Sequence, residues 1–209
     1  MSQTLTENQK IHRALGYSVG SDLRMKSYSE DEVEQILAGV RLAASGDQPE
    51  YLDGFRDQAF QILNEKASRR AQERQDSEIT VNKAAGEAFI KSLDGKEGIL
   101  KSDSGLCYEI LTEGSDKYAT IADSVNVHYH GTLIDGTVFD SSVQRGEPVT
   151  FPLNGVVKGF SEGLTLVGEG GKIRLYMPSD IAYGDRGSGG AIGPGATLIF
   201  EVELLKINP

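Results

Sequence analysis

The chain reads as an α+β protein: an all-α N-terminal dimerisation module and long linker helix, then a curved antiparallel β-sheet wrapped on one short helix. Three observations predict this. Only 6 of the 25 glycines fall in residues 1–94 and 19 fall in residues 95–209, so a helix-compatible half meets a turn-rich half near Asp94-Gly95. From Gly105 onward the apolar spacing changes from helical to alternating. Between two of the alternating runs lies NGVVKGFSEGLTLVGEG, where Val156, Val157, Phe160, Leu164 and Val167 form one apolar helical stripe.

In the first half, Leu5, Ile11, Ala14, Leu15 and Val19 recur at helical spacing. Ser29 with Glu32 makes a capping box ahead of Val33, Ile36, Leu37, Val40 and Leu42. SGDQP ends that helix, because proline disfavours helical geometry at the residue before it. Proline is tolerated in a first turn, and from there a long helix runs to about Leu93. Tyr51, Leu52, Phe55, Ala59, Ile62 and Leu63 give its first turns an apolar face, and Ala84, Ala85, Ala88, Phe89 and Leu93 do so for the last. Between them, Asn64 to Glu78 has almost none. A helix polar all round is a solvated bridge between modules, held by charge pairs such as Glu65 with Arg69 and Arg69 with Glu73. At 1.5 Å per residue such a stalk spans roughly 65 Å. The other arrangement is a break near Ile79-Thr80-Val81, whose β-branched residues weaken a helix.

The expected organisation is a helical module over residues 1–49, a stalk helix over 50–94 and a sheet domain over 95–209. Short helices with small apolar stripes bury too little surface to offset their conformational entropy. A homodimer through residues 1–60 repairs this by placing Leu15, Tyr17, Ile36, Leu37, Val40, Phe55 and Phe60 across a two-fold axis. The alternative, docking on the chain's own C-terminal half, is opposed by the polar stalk.

In the second half LCYEIL, SVNVHYHGTLI, TVFD, PVTFPL, GKIRLYMP and ATLIFEVELLKI are six strand candidates joined by glycine-rich turns. Val125, Val127, Tyr129, Gly131 and Leu133 alternate, so the phenol of Tyr129 faces inward. Asp135-Gly136 turns the chain, and the returning strand ends with Phe139 beside Asp140, an aromatic ring next to a carboxylate. The seam between the sheet and its helix is the natural pocket for something apolar with one or two polar handles.

Charge and composition exclude several classes. A formal net charge of −10 with no basic stretch argues against nucleic acid and against anionic membranes. The single cysteine, Cys107, excludes an internal disulfide and reads as a buried, inert thiol. The N-terminus has no apolar signal core and nowhere do 18 apolar residues run together, so the reading is soluble and cytoplasmic. His128 and His130 alternate with the inward residues and lack further ligands, so they read as solvent-facing rather than metal-binding. Ser141 and Ser142 have no positioned base. Gly187-Ser-Gly-Gly190 and Gly168-Glu-Gly-Gly171 lack the lysine and hydroxyl of a phosphate loop and read as turns. What remains is an aromatic set, Tyr129, Phe139, Phe151, Phe160, Tyr183 and Phe200, which is either core or pocket wall. Tyr129 and Tyr183, if buried, need partners for their hydroxyls.

The segments VHYHGTLIDGTVFDSS, VVKGF, MPSDIAYGDRG and IGPGATLIFEVELL, in that order, resemble the FKBP-type peptidyl-prolyl cis/trans isomerases over residues 105–207. More loosely, ALGYSVG at 14–20 and the stalk resemble the Mip-like branch, in which N-terminal helices intertwine as a dimer. The resemblance implies an FKBP-like fold and a metal-free isomerase without cofactor that rotates X-Pro bonds in unfolded or partly folded proteins. Tyr129, Phe139, Asp140, Tyr183 and Phe200 would be catalytic. Arg145, Phe151, Val156, Val157, Phe160 and Ile192 would bind substrate. Within that set Phe160 would be the floor and Phe139 and Phe200 the walls. The Val157 amide and Tyr183 hydroxyl would hold substrate carbonyls, and Arg145 with Tyr129 would position Asp140. The usual floor tryptophan is here Phe160 and another usual aromatic is Val149, which implies a shallower pocket for macrolide ligands. A folding helper working as a dimer, or a non-catalytic scaffold or holdase, are the further roles implied.

Overall fold

The computed structural model of the chain describes residues 6–22, 25–46, 48, 50 and 52–209. Leu5, Pro49 and Tyr51, and the side chains of Leu52 and Phe55, lie outside what is described. Two compact units divide at Glu73/Arg74.

The first unit holds helices α1 (Glu7–Asp22) and α2 (Glu30–Ser45), and in it begins α3 (Leu52–Lys91). Ser29 caps α2 as expected: its hydroxyl accepts from the Glu32 amide at 3.3 Å, and the Glu32 carboxylate accepts from the Ser29 amide at 2.7 Å. Gly46, not the proline after it, stops this helix. It sits in the left-handed region at φ 81°, and its amide returns to the carbonyls of Leu42 and Ala43. The helix α3 is unbroken through Ile79-Thr80-Val81. Lys66 on α3 meets Glu32 at 3.3 Å and stands 3.6 Å from the ring centre of Tyr28. Among the described residues of this unit none is buried, and Leu15, Tyr17 and Phe60 are more than half exposed.

The second unit starts at Arg74, inside the helix and well before the glycine boundary at Asp94-Gly95. Among the described residues it carries a seven-stranded sheet: β1 (Ile99–Lys101), β2 (Cys107–Thr112), β3 (Ser124–Leu133), β4 (Val138–Ser141), β5 (Val149–Pro152), β6 (Lys172–Met177) and β7 (Leu198–Ile207). All pairings are antiparallel. The order is β1-β2-β6-β7-β3-β4, and β5 shares the outer edge of β3 with β4. β1, only three residues long, is the strand that alternation does not reveal.

Two more helices follow β4 and β5: a single turn, α4 (Ser142–Arg145), and α5 (Lys158–Thr165). Phe160 and Leu164 of α5 enter the main core with Val127, Ile173, Leu175, Val202 and Leu204. Gly163 lets the helix lie close, since a Cβ there would stand 2.4 Å from Leu175 Cδ2. On the opposite face Ile90 and Leu93, at and just beyond the end of α3, pack with Cys107 and Tyr176, and Phe89 lies 6.0 Å from the Tyr176 ring. The sheet is therefore covered on both faces. Burial under this layer also pushes the Cys107 thiol up, as an inert cysteine requires.

Candidate active site

Phe139 and Asp140 are consecutive in β4, and in a regular strand they would face opposite ways. They face the same cavity because the pairing of β3 with β4 slips here: Gly131 opposes Asp140 and Thr132 opposes Val138, leaving Phe139 unpaired. Gly131 makes room for the ring. A Cβ at that position would stand 2.6 Å from Phe139 Cζ and 3.0 Å from Phe200 Cε1.

Directly after β4, Ser141 caps α4 by accepting from the Gln144 amide at 3.2 Å, and Gly146 ends it in the left-handed region. This turn carries Arg145 back toward Tyr129 and Asp140. The Tyr129 hydroxyl donates to Asp140 Oδ2 at 2.5 Å and accepts from Arg145 Nη2 at 2.8 Å. Arg145 Nη1 closes the triangle on Asp140 Oδ1. Behind it, fully buried Ser142 accepts from the Tyr129 amide at 2.8 Å and lies 3.1 Å from His128 Nδ1.

Phe160 is the hub of the rings. Phe200 stands 5.3 Å from it, Phe151 6.2 Å and Tyr129 6.3 Å, all edge to face, and Phe139 meets Phe200 at 5.3 Å in the same manner. The opposite side of the cavity comes from Val156 and Val157, just before α5, and from the loop carrying Tyr183 and Ile192. The cavity, open to solvent on one side, has a volume of about 530 Å³, in the range of small-ligand sites.

Ten of the eleven expected site residues line this cavity: Tyr129, Phe139, Asp140, Phe151, Val156, Val157, Phe160, Tyr183, Ile192 and Phe200. Arg145 does not; it stands behind the wall and holds Tyr129 and Asp140. Tyr183 is 40 % exposed at the mouth, and its hydroxyl makes no hydrogen bond among the described residues. It is not the buried phenol that would need a partner. Val149 pairs with Val127 and packs against the core, and its side chain does not reach the lining. Gly155, Ser188, Gly189 and Ala191 also line the cavity. The glycine run from Gly187 to Gly190 signals a turn but not what it faces, and nothing in the sequence marks Gly155.

The charge state of the site follows from these bonds. Burial pushes the Asp140 carboxyl up, but hydrogen bonds from Tyr129 and Arg145 outweigh it and hold the group below the usual carboxylate range. Burial, aided by the bond to Asp140, pushes the Tyr129 phenol up. The site is thus an ionised carboxylate, a neutral phenol and a guanidinium at neutral pH. Among the described residues the Val157 amide makes no hydrogen bond, which leaves it, with the Tyr183 hydroxyl, as a spare donor on the lining.

Replacing Gly131 by alanine is expected to overpack Phe139 and Phe200 and to destabilise the fold by about 1–3 kcal/mol. A denaturant midpoint lowered at unchanged slope checks this.

Two family models match the chain. One, FKBP-type peptidyl-prolyl cis-trans isomerase, covers residues 115–205, and the other, the domain amino terminal to FKBP-type peptidyl-prolyl isomerase, covers residues 8–110. The FKBP-type 22 kDa peptidyl-prolyl cis-trans isomerase of Escherichia coli is 39% identical over 193 residues, covering 92% of each chain. The outer membrane protein MIP of Legionella longbeachae is 36% identical over 205 residues, covering 93% of this chain and 84% of that one. The crystal structure of FkpA from Escherichia coli superposes with a TM-score of 0.77 at 34% identity, covering 98% of both chains. The chain belongs to the FKBP-type peptidyl-prolyl cis-trans isomerase family, enzymes that act on proline-containing protein substrates.

Proposed function

We propose that the ring-walled cavity is where this isomerase turns the X-Pro bond, and that it does so by withholding water rather than by covalent or proton-transfer chemistry. The observation that carries the reading is one cavity in which Phe139, Phe160 and Phe200 supply apolar wall while Tyr129 and Asp140 on the lining are bonded to each other and to Arg145 behind it.

The X-Pro bond prefers trans by only about 0.5–1 kcal/mol, yet rotation crosses about 18–20 kcal/mol because it breaks amide resonance. Resonance puts negative charge on the imide oxygen, and water stabilises that charge. Among dry rings the planar form loses this stabilisation and the twisted form, with less charge, loses little. The Tyr129 hydroxyl already donates to Asp140, so it does not replace water as a donor to that oxygen. The spare donors, the Val157 amide and the Tyr183 hydroxyl, hold flanking carbonyls and keep the twisted segment in place. Each ~1.4 kcal/mol gained in this way is tenfold in rate. The same cavity is where a macrolide would compete with a proline peptide.

A protease-coupled proline-peptide assay should show kcat/KM lowered about 10- to 100-fold by Phe139→Ala and by Asp140→Leu, the latter by freeing the Tyr129 hydroxyl. Parent rates in either variant would remove that residue from the role. Asp140 is held below its ordinary pKa, so its carboxylate is present at neutral pH and is lost only as pH falls through that depressed value. The pH profile of kcat/KM should therefore be flat from about pH 8 to about pH 5. A limb near neutrality would contradict it.

The proposal extends to a homodimer through residues 1–60 serving as a cytoplasmic folding helper. Supporting it, the first unit buries none of its described residues, and Tyr17 is 81%, Leu15 62% and Phe60 59% exposed. A unit with no core among its described residues gains one from a second copy. Sedimentation should give a dimer for the full chain and a monomer for residues 74–209. A monomeric full chain would overturn this part.

A further inference from the structure

The part of α3 that belongs to the second unit touches the loop that carries Tyr183 and Ile192, and it does so along one stripe. Gln75 Nε2 donates to the Asp185 carbonyl at 3.3 Å, and Asn82 Nδ2 donates to the Pro194 carbonyl at 2.8 Å. Lys83 lies between two carboxylates, 3.5 Å from Asp180 and 2.7 Å from Asp185. The helix main chain comes close as well: a Cβ on Gly195 would stand 3.0 Å from the Ile79 carbonyl oxygen, and one on Gly86 would stand 2.1 Å from Thr197 Oγ1. Positions 75, 79, 82, 83 and 86 follow helical spacing, so all of these contacts come from one face.

The anchored points bracket the wall. Asp180 and Asp185 flank Tyr183, and Pro194 and Gly195 follow Ile192. The two legs of the loop are joined by the Gly195 amide donating to the Gly184 carbonyl at 3.0 Å, and the tip is closed by reciprocal bonds of 2.9 and 3.1 Å between Ser188 and Ile192. The loop has little core of its own beyond Ile181 and Ile192, so its position depends on these attachments.

We propose that Asn82 and Lys83 of α3 are positioning residues for the isomerase: they fix the Tyr183–Ile192 wall at the distance from Phe139 and Phe200 that a twisted proline segment fits. This deepens the pocket assignment above and rests on it. Gly86 belongs to the same device. A helix gains from alanine in place of glycine, and the contact with Thr197 is what requires the smaller residue.

The test uses the full chain with Asn82→Ala, Lys83→Met and Lys83→Arg, and with Phe139→Ala as control. Two readouts are followed: amide hydrogen exchange at Ser188 and Ile192, and kcat/KM on a proline tetrapeptide. Asn82→Ala and Lys83→Met should speed loop exchange and lower kcat/KM, each about tenfold, while Lys83→Arg, which keeps both carboxylate contacts, should restore both. Unchanged exchange in both variants overturns the proposal, and so does faster exchange without loss of turnover. If Phe139→Ala loses turnover while the helix variants stay silent, only this proposal fails. If Phe139→Ala keeps parental turnover, the pocket assignment fails instead, and loop exchange still reports on the attachments.

Discussion

A cavity walled by aromatic rings stays dry only if the polar atoms among those rings are already bonded to one another. Here that constraint is met by one triangle. The Tyr129 hydroxyl donates to Asp140 and accepts from Arg145, and Arg145 closes on Asp140. Removing any corner would leave a half-buried donor or charge to recruit water, at a cost comparable to a lost charged hydrogen bond. The apolar character of the cavity thus depends on a polar network at its edge.

Several local irregularities serve that network. The slipped register at Gly131 turns Phe139 and Asp140 to the same side, and the single turn of α4 brings Arg145 back to meet them. Ser142, fully buried at the start of that turn, ties it to the Tyr129 amide. Across the cavity the wall is a loop rather than a strand, attached to a helix that begins far upstream in the chain. One wall is therefore set by the sheet, and the loop that completes the other is tied to α3.

Alternation was enough to find the long strands and to turn Tyr129 inward, and the single apolar stripe was enough to find α5. It could not reveal β1, which at three residues is too short to show a period. The returning strand shows Asp140 beside Phe139, and the family resemblance adds Arg145, but the bulge that aims Phe139 depends on pairing across β3, which no single strand's sequence records. For Tyr183 the sequence leaves core and rim open, because an aromatic ring with a hydroxyl suits both, and the structure places it at the rim. Least legible was the face of α3 made by Gln75, Asn82, Lys83 and Gly86. Its contacts are hydrogen bonds, ion pairs and a close approach, so a search for apolar periodicity gives no sign of that face. For the same reason the second unit begins at Arg74, inside a helix whose composition gives no sign of a boundary.

The central claim is that rotation is accelerated by a dry cavity with no proton in flight. The ratio of kcat/KM in light and heavy water tests it most directly. A non-covalent rotation predicts a ratio of about 1 across the flat part of the pH profile. A ratio of about 2 or more would place a proton transfer in the transition state and contradict the account.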